Sequence, residues 1–269
     1  MNMSVYRYLA VALLLLPVDL MAQERTANQK TINFACILHP DNPVFVSANA
    51  IYQHFFKLRG TDFSMQATSE KRMISEVSSG RMDGGCGENR HVFEILDNSQ
   101  LLIGNTPIAE IAVMAVSRTK IDEIHSLEQL QDSPLRIGII ANTGTALAAQ
   151  SHNVSFLNIV TIESGIKMLA GNRLDYIVSN QIQIDHALKS INSETPLHAS
   201  DALFSFPAFP LFHKKHKALI PSIDAYLLKL HQCLEGPISR NNIKEWSAIS
   251  GTKIDHCLEN YKAVISSST

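Results

Sequence analysis

The 269-residue chain carries 23 basic and 25 acidic side chains, a formal charge of −2, and 45% of its residues are hydrophobic. Such a chain is long and apolar enough to bury a full-sized core, and it lacks the basic stripe that a nucleic-acid binder normally shows. Its one dense basic cluster, His213-Lys214-Lys215-His216-Lys217, reads as a short solvated loop, so no nucleic-acid partner is expected.

At the N-terminus, Arg7 precedes the apolar run Tyr8 to Leu16, followed by Pro17 and then Leu20-Met21-Ala22. This is the layout of a secretory signal peptide, expected to span residues 1–22 and to be cleaved near Ala22, with export to the periplasm. The run is about half of the roughly 20 residues that a bilayer-spanning helix needs. No cysteine sits just beyond the expected cleavage point and no other long apolar segment follows, so a soluble mature protein without a lipid anchor is expected, and it is expected to be a monomer.

Export changes how the four cysteines read, because an oxidising compartment permits disulfides. Cys36 with Cys86 and Cys233 with Cys257 is the economical pairing, with other pairings and buried free thiols as alternatives. There is no Cys-x-x-Cys, and the histidines are scattered without ligand spacing, so neither a metal nor another cofactor is expected.

Further along, Thr31 to Leu38 reads as a buried strand and His39 to Pro43 as the loop leaving it. A helix follows, with Ser47 as its cap and Ile51, Tyr52, Phe55 and Leu58 on one face until Gly60. Phe63 to Gln66 is a short strand, and Ser69 opens a second helix that ends at Gly80.

What comes next occurs twice. Gly80-Arg81-Met82-Asp83 leads from a helix into a strand, and Gly171-Asn172-Arg173-Leu174-Asp175 does so again, about ninety residues later. Each glycine is suited to the left-handed conformation that stops a helix. The second unit is preceded, as the first is, by a strand (Leu135 to Ile140), a helix from about Gly144, a strand at Ile159-Val160 and a helix from Ser164. Two similar α/β lobes are therefore expected.

Ile108 to Val116 is an apolar run long enough to cross from one lobe to the other. Phe204 to Phe212 carries Pro207 and Pro210 and reads as a return crossing rather than a central strand. Leu219 to Leu234 is an amphipathic helix stopped by Gly236-Pro237, and Ile238 to Trp246 begins another. The expected division is a first lobe of residues 23–112, an inserted second lobe of 113–206, and a return to the first lobe over 207–269.

Several segments together resemble the type 2 periplasmic solute-binding proteins, in particular the amino-acid-binding type known as bacterial extracellular solute-binding protein family 3. They are Gly80 to Gly84 with Arg90 following, Ser126 to Leu130 leading into Arg136 to Ile139, the turn Asn142 to Thr145, and Met168 to Asp175. The resemblance implies an α/β fold of two lobes, each a mixed, mostly parallel sheet flanked by helices, joined by two crossings. It also implies capture of a small polar, carboxylate-bearing solute, an amino acid or a relative, for an ABC transporter. Binding would proceed by hinge closure, without catalysis.

By the same resemblance, Arg90 stands where an arginine grips the ligand's carboxylate; a guanidinium offers a planar fork of donors for that task. Thr143, Gly144 and Thr145 stand where a helix start faces the ligand. Asn180 occupies the place of the acidic residue that usually pairs with an α-ammonium, so a ligand without that group is one reading; Asp185, further on, is a possible substitute. Phe45 is a candidate to pack on the ligand, whereas Tyr52 fits the core. Asp83 and Asp175 repeat in both lobes and read as structural. Two alternatives stay open: a ligand-sensing module for a membrane receptor, and a dehydratase-like enzyme using Glu88 or His91 as its acid or base.

Overall fold

The computed structural model describes residues 31–96, 98–121, 124–141, 143–190, 196–239 and 251–258. The expected signal peptide lies outside them. Among the described residues, two units of the same design carry the architecture. The first runs β1 (Ile32–Cys36), α1 (Pro43–Leu58), β2 (Phe63–Ala67), α2 (Glu70–Ser78) and β3 (Gly84–Asn89). The second runs β6 (Ile137–Ile140), α4 (Gly144–Ser151), β7 (Leu157–Ile159), α5 (Ile162–Ala170) and β8 (Tyr176–Asn180). In each unit the three strands are parallel and the first lies in the middle, giving β2-β1-β3 and β7-β6-β8. A parallel strand needs a helical crossover, which is why helix and strand alternate so regularly.

Two long strands join the units. β5 (Ala109–Ser117) runs antiparallel to β8, and β9 (His198–His213) runs antiparallel to β3, to β5 and to the short β4 (Leu101–Ile103). The result is one continuous nine-stranded sheet. β9 is the return crossing expected of Phe204 to Phe212, but it is also a central strand, contrary to that expectation. Its prolines are tolerated because they flank Ala208, the residue at which β9 passes from Ala109 of β5 to Asn89 of β3. Pro210 lacks a donor but still accepts, from Gly104 N at 2.8 Å.

The first unit's core gathers Phe34, Ile51, Tyr52, Phe55 and Phe56 with Tyr226, Leu227 and Leu230 of α7 (Ile220–Leu234) and Ile254 of α8 (Gly251–Cys257). Buried His54 fastens these helices through Tyr226 Oη at 2.9 Å and Asp255 Oδ1 at 3.2 Å. Disulfides join Cys36 to Cys86, tying β1 to β3, and Cys233 to Cys257, tying α7 to α8. Three local expectations change. Asn42, not Ser47, caps α1, accepting from Val44 N ahead of Pro43 at the first helical position. Gly80 takes the left-handed conformation (φ 73°), but in the second unit Asn172 takes it (φ 55°) in place of Gly171. Ile238 bridges to Ala109 rather than starting a helix, and most of that expected helix lies outside the described residues.

The repeated aspartates close each unit at the end remote from the strands' C-termini. Asp83 N donates to Asn33 O and its carboxylate accepts from Asn33 N; Asp175 N donates to Arg136 O and its carboxylate accepts from Arg136 N. Their surroundings differ. Asp83 is buried and also receives Lys215 Nζ at 2.8 Å and His216 Nε2 at 2.7 Å, so part of the basic cluster is structural rather than solvated. Burial works to raise the Asp83 carboxyl, but the bonds from Lys215, the Asn33 amide and His216 prevail and hold it below its ordinary value. Asp175 is more open, with its side chain 29% exposed, and the Arg136 guanidinium holds it at about 2. Asp83→Ala should therefore cost about 3 kcal/mol, because it takes the acceptor from the largely buried His216 ring nitrogen and from the Asn33 amide. Asp175→Ala should cost about 1 kcal/mol or less. Urea unfolding of the two variants checks this, and equal costs would contradict it.

Candidate functional site

In both units the helices start at the C-terminal ends of the parallel strands, so six helix N-termini converge on one cleft. This is where open α/β sheets bind ligands. The cleft holds a cavity of about 560 Å³ walled by both lobes. Most of the termini bring their own cap. Asn42 accepts from Val44 N at 2.9 Å, Asn89 from His91 N at 2.8 Å, Thr143 from Ala146 N at 3.2 Å, Thr161 from Ser164 N at 3.1 Å and Asn180 from Gln183 N at 2.9 Å. All five cap residues line the cavity. α2 differs: Ser69 makes no side-chain cap bond, and the first helical residue, Glu70, lines the cavity.

Of the residues singled out from sequence, Thr143, Gly144, Thr145 and Asn180 come together on the second lobe's wall. Arg90 does not join them. β3 pairs at Gly85 opposite Leu211 and next, across a bulge, at Glu88 opposite Phe209, so it carries one extra residue there. That insertion moves every following side chain by one position relative to β9. Glu88 lines the cavity, whereas Arg90 begins α3 (Arg90–Leu96) and lies back over β9. Its Nη2 donates to Gly104 O at 2.7 Å, and its guanidinium sits 4.6 Å from the centre of the Phe209 ring. Phe45 is likewise outside the cavity lining, buried in the first lobe's core. Asp185 and His91 also lie outside the lining; His91 is exposed, 3.9 Å from Glu94.

Glu88 is 8% exposed. One carboxylate oxygen accepts from the next backbone amide, Asn89 N, at 2.7 Å. No lysine, arginine or histidine among the described residues pairs with it. Burial, with the repulsion of Glu70 adding to it against that one amide bond, pushes Glu88 up to about 7. Glu70 is itself raised by burial. On the facing wall Glu163 lies 4.0 Å from His186, and the His186 ring meets His39 of the first lobe with centroids 5.5 Å apart. Among the described residues lining the cavity there is no arginine or lysine. The remaining wall is largely aliphatic, with Leu38, Val44, Ile111, Ile162 and Ile182 beside Phe206.

Sequence reasoning singled out Glu88 only as a catalytic alternative and missed Glu70, Glu163, His39 and His186. A usable signal was present in part: Glu70 and Glu163 each occupy the first turn of a helix, and helix starts face the cleft. Among the described residues no group of three or more His, Cys, Asp or Glu is placed to hold a metal ion.

Two outcomes follow from this geometry. Because Glu88 titrates above its ordinary value of 4.5, the native state keeps a proton that the unfolded chain has shed between about pH 4.5 and 7, and stability falls as pH rises through that window. Glu88→Gln should abolish that slope, stabilising the protein by up to on the order of 3 kcal/mol at about pH 8 and by little at about pH 4. Chemical denaturation at the two pH values reads this, and a variant no more stable than wild type at pH 8 contradicts it. Across the cleft, a methyl group added at Gly144 would meet Val92 and Phe206 at 3.8 Å and Asn89 at 3.9 Å, which is ordinary contact. Gly144→Ala should therefore be silent, while Gly144→Phe should weaken this contact between the two walls by about 1–3 kcal/mol. Small-angle X-ray scattering should then show a larger radius of gyration for Gly144→Phe, and equal radii would refute the contact.

No family model matches the chain, and no curated protein matches its sequence. Solved structures do match its fold. The periplasmic VFT2 domain of BvgS from Bordetella pertussis is similar at TM-score 0.55 and 15% identity, over 90% of this chain and 97% of that one. EhuB in complex with hydroxyectoine is similar at TM-score 0.58 and 18% identity, over 87% and 94%. The GluR0 ligand-binding core in complex with L-glutamate is similar at TM-score 0.61 and 12% identity, over 81% and 96%. At these identities the likeness concerns the fold: the chain has the two-lobed, type 2 periplasmic-binding-protein fold, a mixed and mostly parallel sheet flanked by helices.

Proposed function

We propose that this protein is an exported solute-binding protein that captures a small molecule in the cavity between its lobes and closes around it without chemical change. The single observation that carries this reading is the cavity of about 560 Å³, walled by both lobes at the convergence of their helix N-termini. The lobes in this reading are residues 23–112 with 207–269, and 113–206. Closure is a rotation about β5 and β9, the strands shared between them, and ligand shifts an existing open and closed equilibrium. Thr143, Gly144, Thr145 and Asn180 supply the second lobe's share of the shell.

The solved structures support a binding role: arginine, glutamine, L-glutamate and hydroxyectoine are the ligands named for proteins of similar fold. Gripping a carboxylate through Arg90 would require its guanidinium to leave Gly104 and Phe209, so the carboxylate expected from sequence is not part of this proposal. The site of action is the periplasm, and the partner is an ABC permease that takes the loaded form. The likeness to the periplasmic domain of BvgS favours a second reading, in which the loaded form signals to a membrane receptor.

Native mass spectrometry of the protein purified from its own cells tests the common part of both readings. A small molecule bound in one-to-one ratio should be present, lost on unfolding, and recovered unchanged in mass after incubation. Refolded protein should regain it from cell extract and contract in solution scattering. A chain that carries nothing and takes up nothing overturns the proposal.

A further inference from the structure

We propose that the cavity selects an organic monocation with an apolar body, its charge held by Glu88 with Glu70 on the same wall; the inference rests on the solute-capture reading above. A carboxylate taken out of water is costly unless it is paired, and the usual partner is a basic side chain. Glu88 is 8% exposed, lines the cavity and, among the described residues, has a single backbone amide as its donor. The described lining offers no lysine or arginine to pair with it. Once Glu88 has lost its proton, a ligand cation would complete this arrangement.

The surroundings point the same way. An anion entering the cavity would meet three carboxylates, Glu70, Glu88 and Glu163. The donors that helix starts usually offer an anion are already drawn on here by the caps Asn42, Asn89, Thr143, Thr161 and Asn180. A zwitterion such as a free amino acid would still lack a strong partner for its carboxylate, because Arg90 is engaged with Gly104 O and the Phe209 face. An inorganic cation would leave the aliphatic wall unused. A primary ammonium on a hydrocarbon body satisfies both halves of the cavity: the head meets Glu88, and the body meets Leu38, Ile111, Ile162, Ile182 and Phe206. Glu163 already lies near His186, which leaves Glu88 and Glu70 as the lining carboxylates without an ion-pair partner among the described residues.

Isothermal titration of the full mature protein at about pH 8 with three probes of matched length tests this: 1-hexylammonium, neutral 1-hexanol and anionic heptanoate. Hexylammonium should bind at least about tenfold more tightly than either of the others, as expected when a buried charge pair forms. Glu88→Gln should bring the ratio of hexylammonium to hexanol affinity down by about tenfold or more, and Glu70→Gln should lower it in the same direction by less. A crystal of the complex should place the ammonium nitrogen within hydrogen-bond reach of Glu88. Tighter or equal binding of heptanoate, an unchanged ratio in Glu88→Gln, or no binding of any probe overturns the cation assignment. The solute-capture reading would still be decided separately by the ligand that accompanies the protein from its cells.

Discussion

The antiparallel pairing of β5 with β9 is the constraint on which the rest of the molecule depends. It runs from Ala109 opposite Ala208 to Ser117 opposite His198 and turns two βαβαβ units into one sheet. Because both strands leave one lobe and enter the other side by side, the cleft always opens toward the helix starts of both units. The register shifts near Val113 and Met114 interrupt the ladder where β5 is already paired with β8 of the second unit, and irregularities of this kind bend and twist a sheet. The paired strands hold the two walls of the cleft side by side.

What this arrangement delivers to the cleft is unusual in its charge. Helix starts present partial positive charge, and the chain answers with a side-chain acceptor at five of the six termini and with carboxylates at the first turns of α2 and α5. Glu88 adds a third carboxylate from β3, placed there by one extra residue in that strand. A carboxylate kept out of water without a counter-ion lowers stability, and natural proteins concentrate such costs at functional sites. The remainder of the chain spends its charges conventionally: Asp83 on Lys215 and His216, and Asp175 on Arg136.

Much of the architecture is legible in the order of residues. Alternation of apolar runs with helix starts and stops is a local property, so the strand of Thr31 to Leu38, the helix from Gly144 and the repeated Gly-to-Asp units can be read before any contact is known. The two disulfides follow a pairing already suggested by which cysteines lie in neighbouring elements. Where local reading misleads, a longer-range contact is the cause. Pro207 and Pro210 argue against a central strand, yet β9 is central because the prolines flank its change of partner at Ala208. Gly171 is the favoured left-handed residue, yet Asn172 adopts that conformation.

By itself the sequence determined an α/β chain of two similar halves, because hydrophobic period and helix punctuation act over a few residues. It also determined that Asp83 and Asp175 belong to the framework, since they recur in both units. Only the tertiary structure decided what faces the cleft. A single inserted residue in β3 shifts Glu88 and Asn89 by one position against β9, while Arg90 is carried off the strand into α3, and no local pattern marks that bulge, because it exists only in the register between β3 and β9. Phe45 and Arg90 read as ligand contacts in one dimension, whereas the structure places Phe45 in the core and Arg90 over Phe209 of β9. Whether Glu88 of β3 faces the cavity depends on that one step of strand pairing.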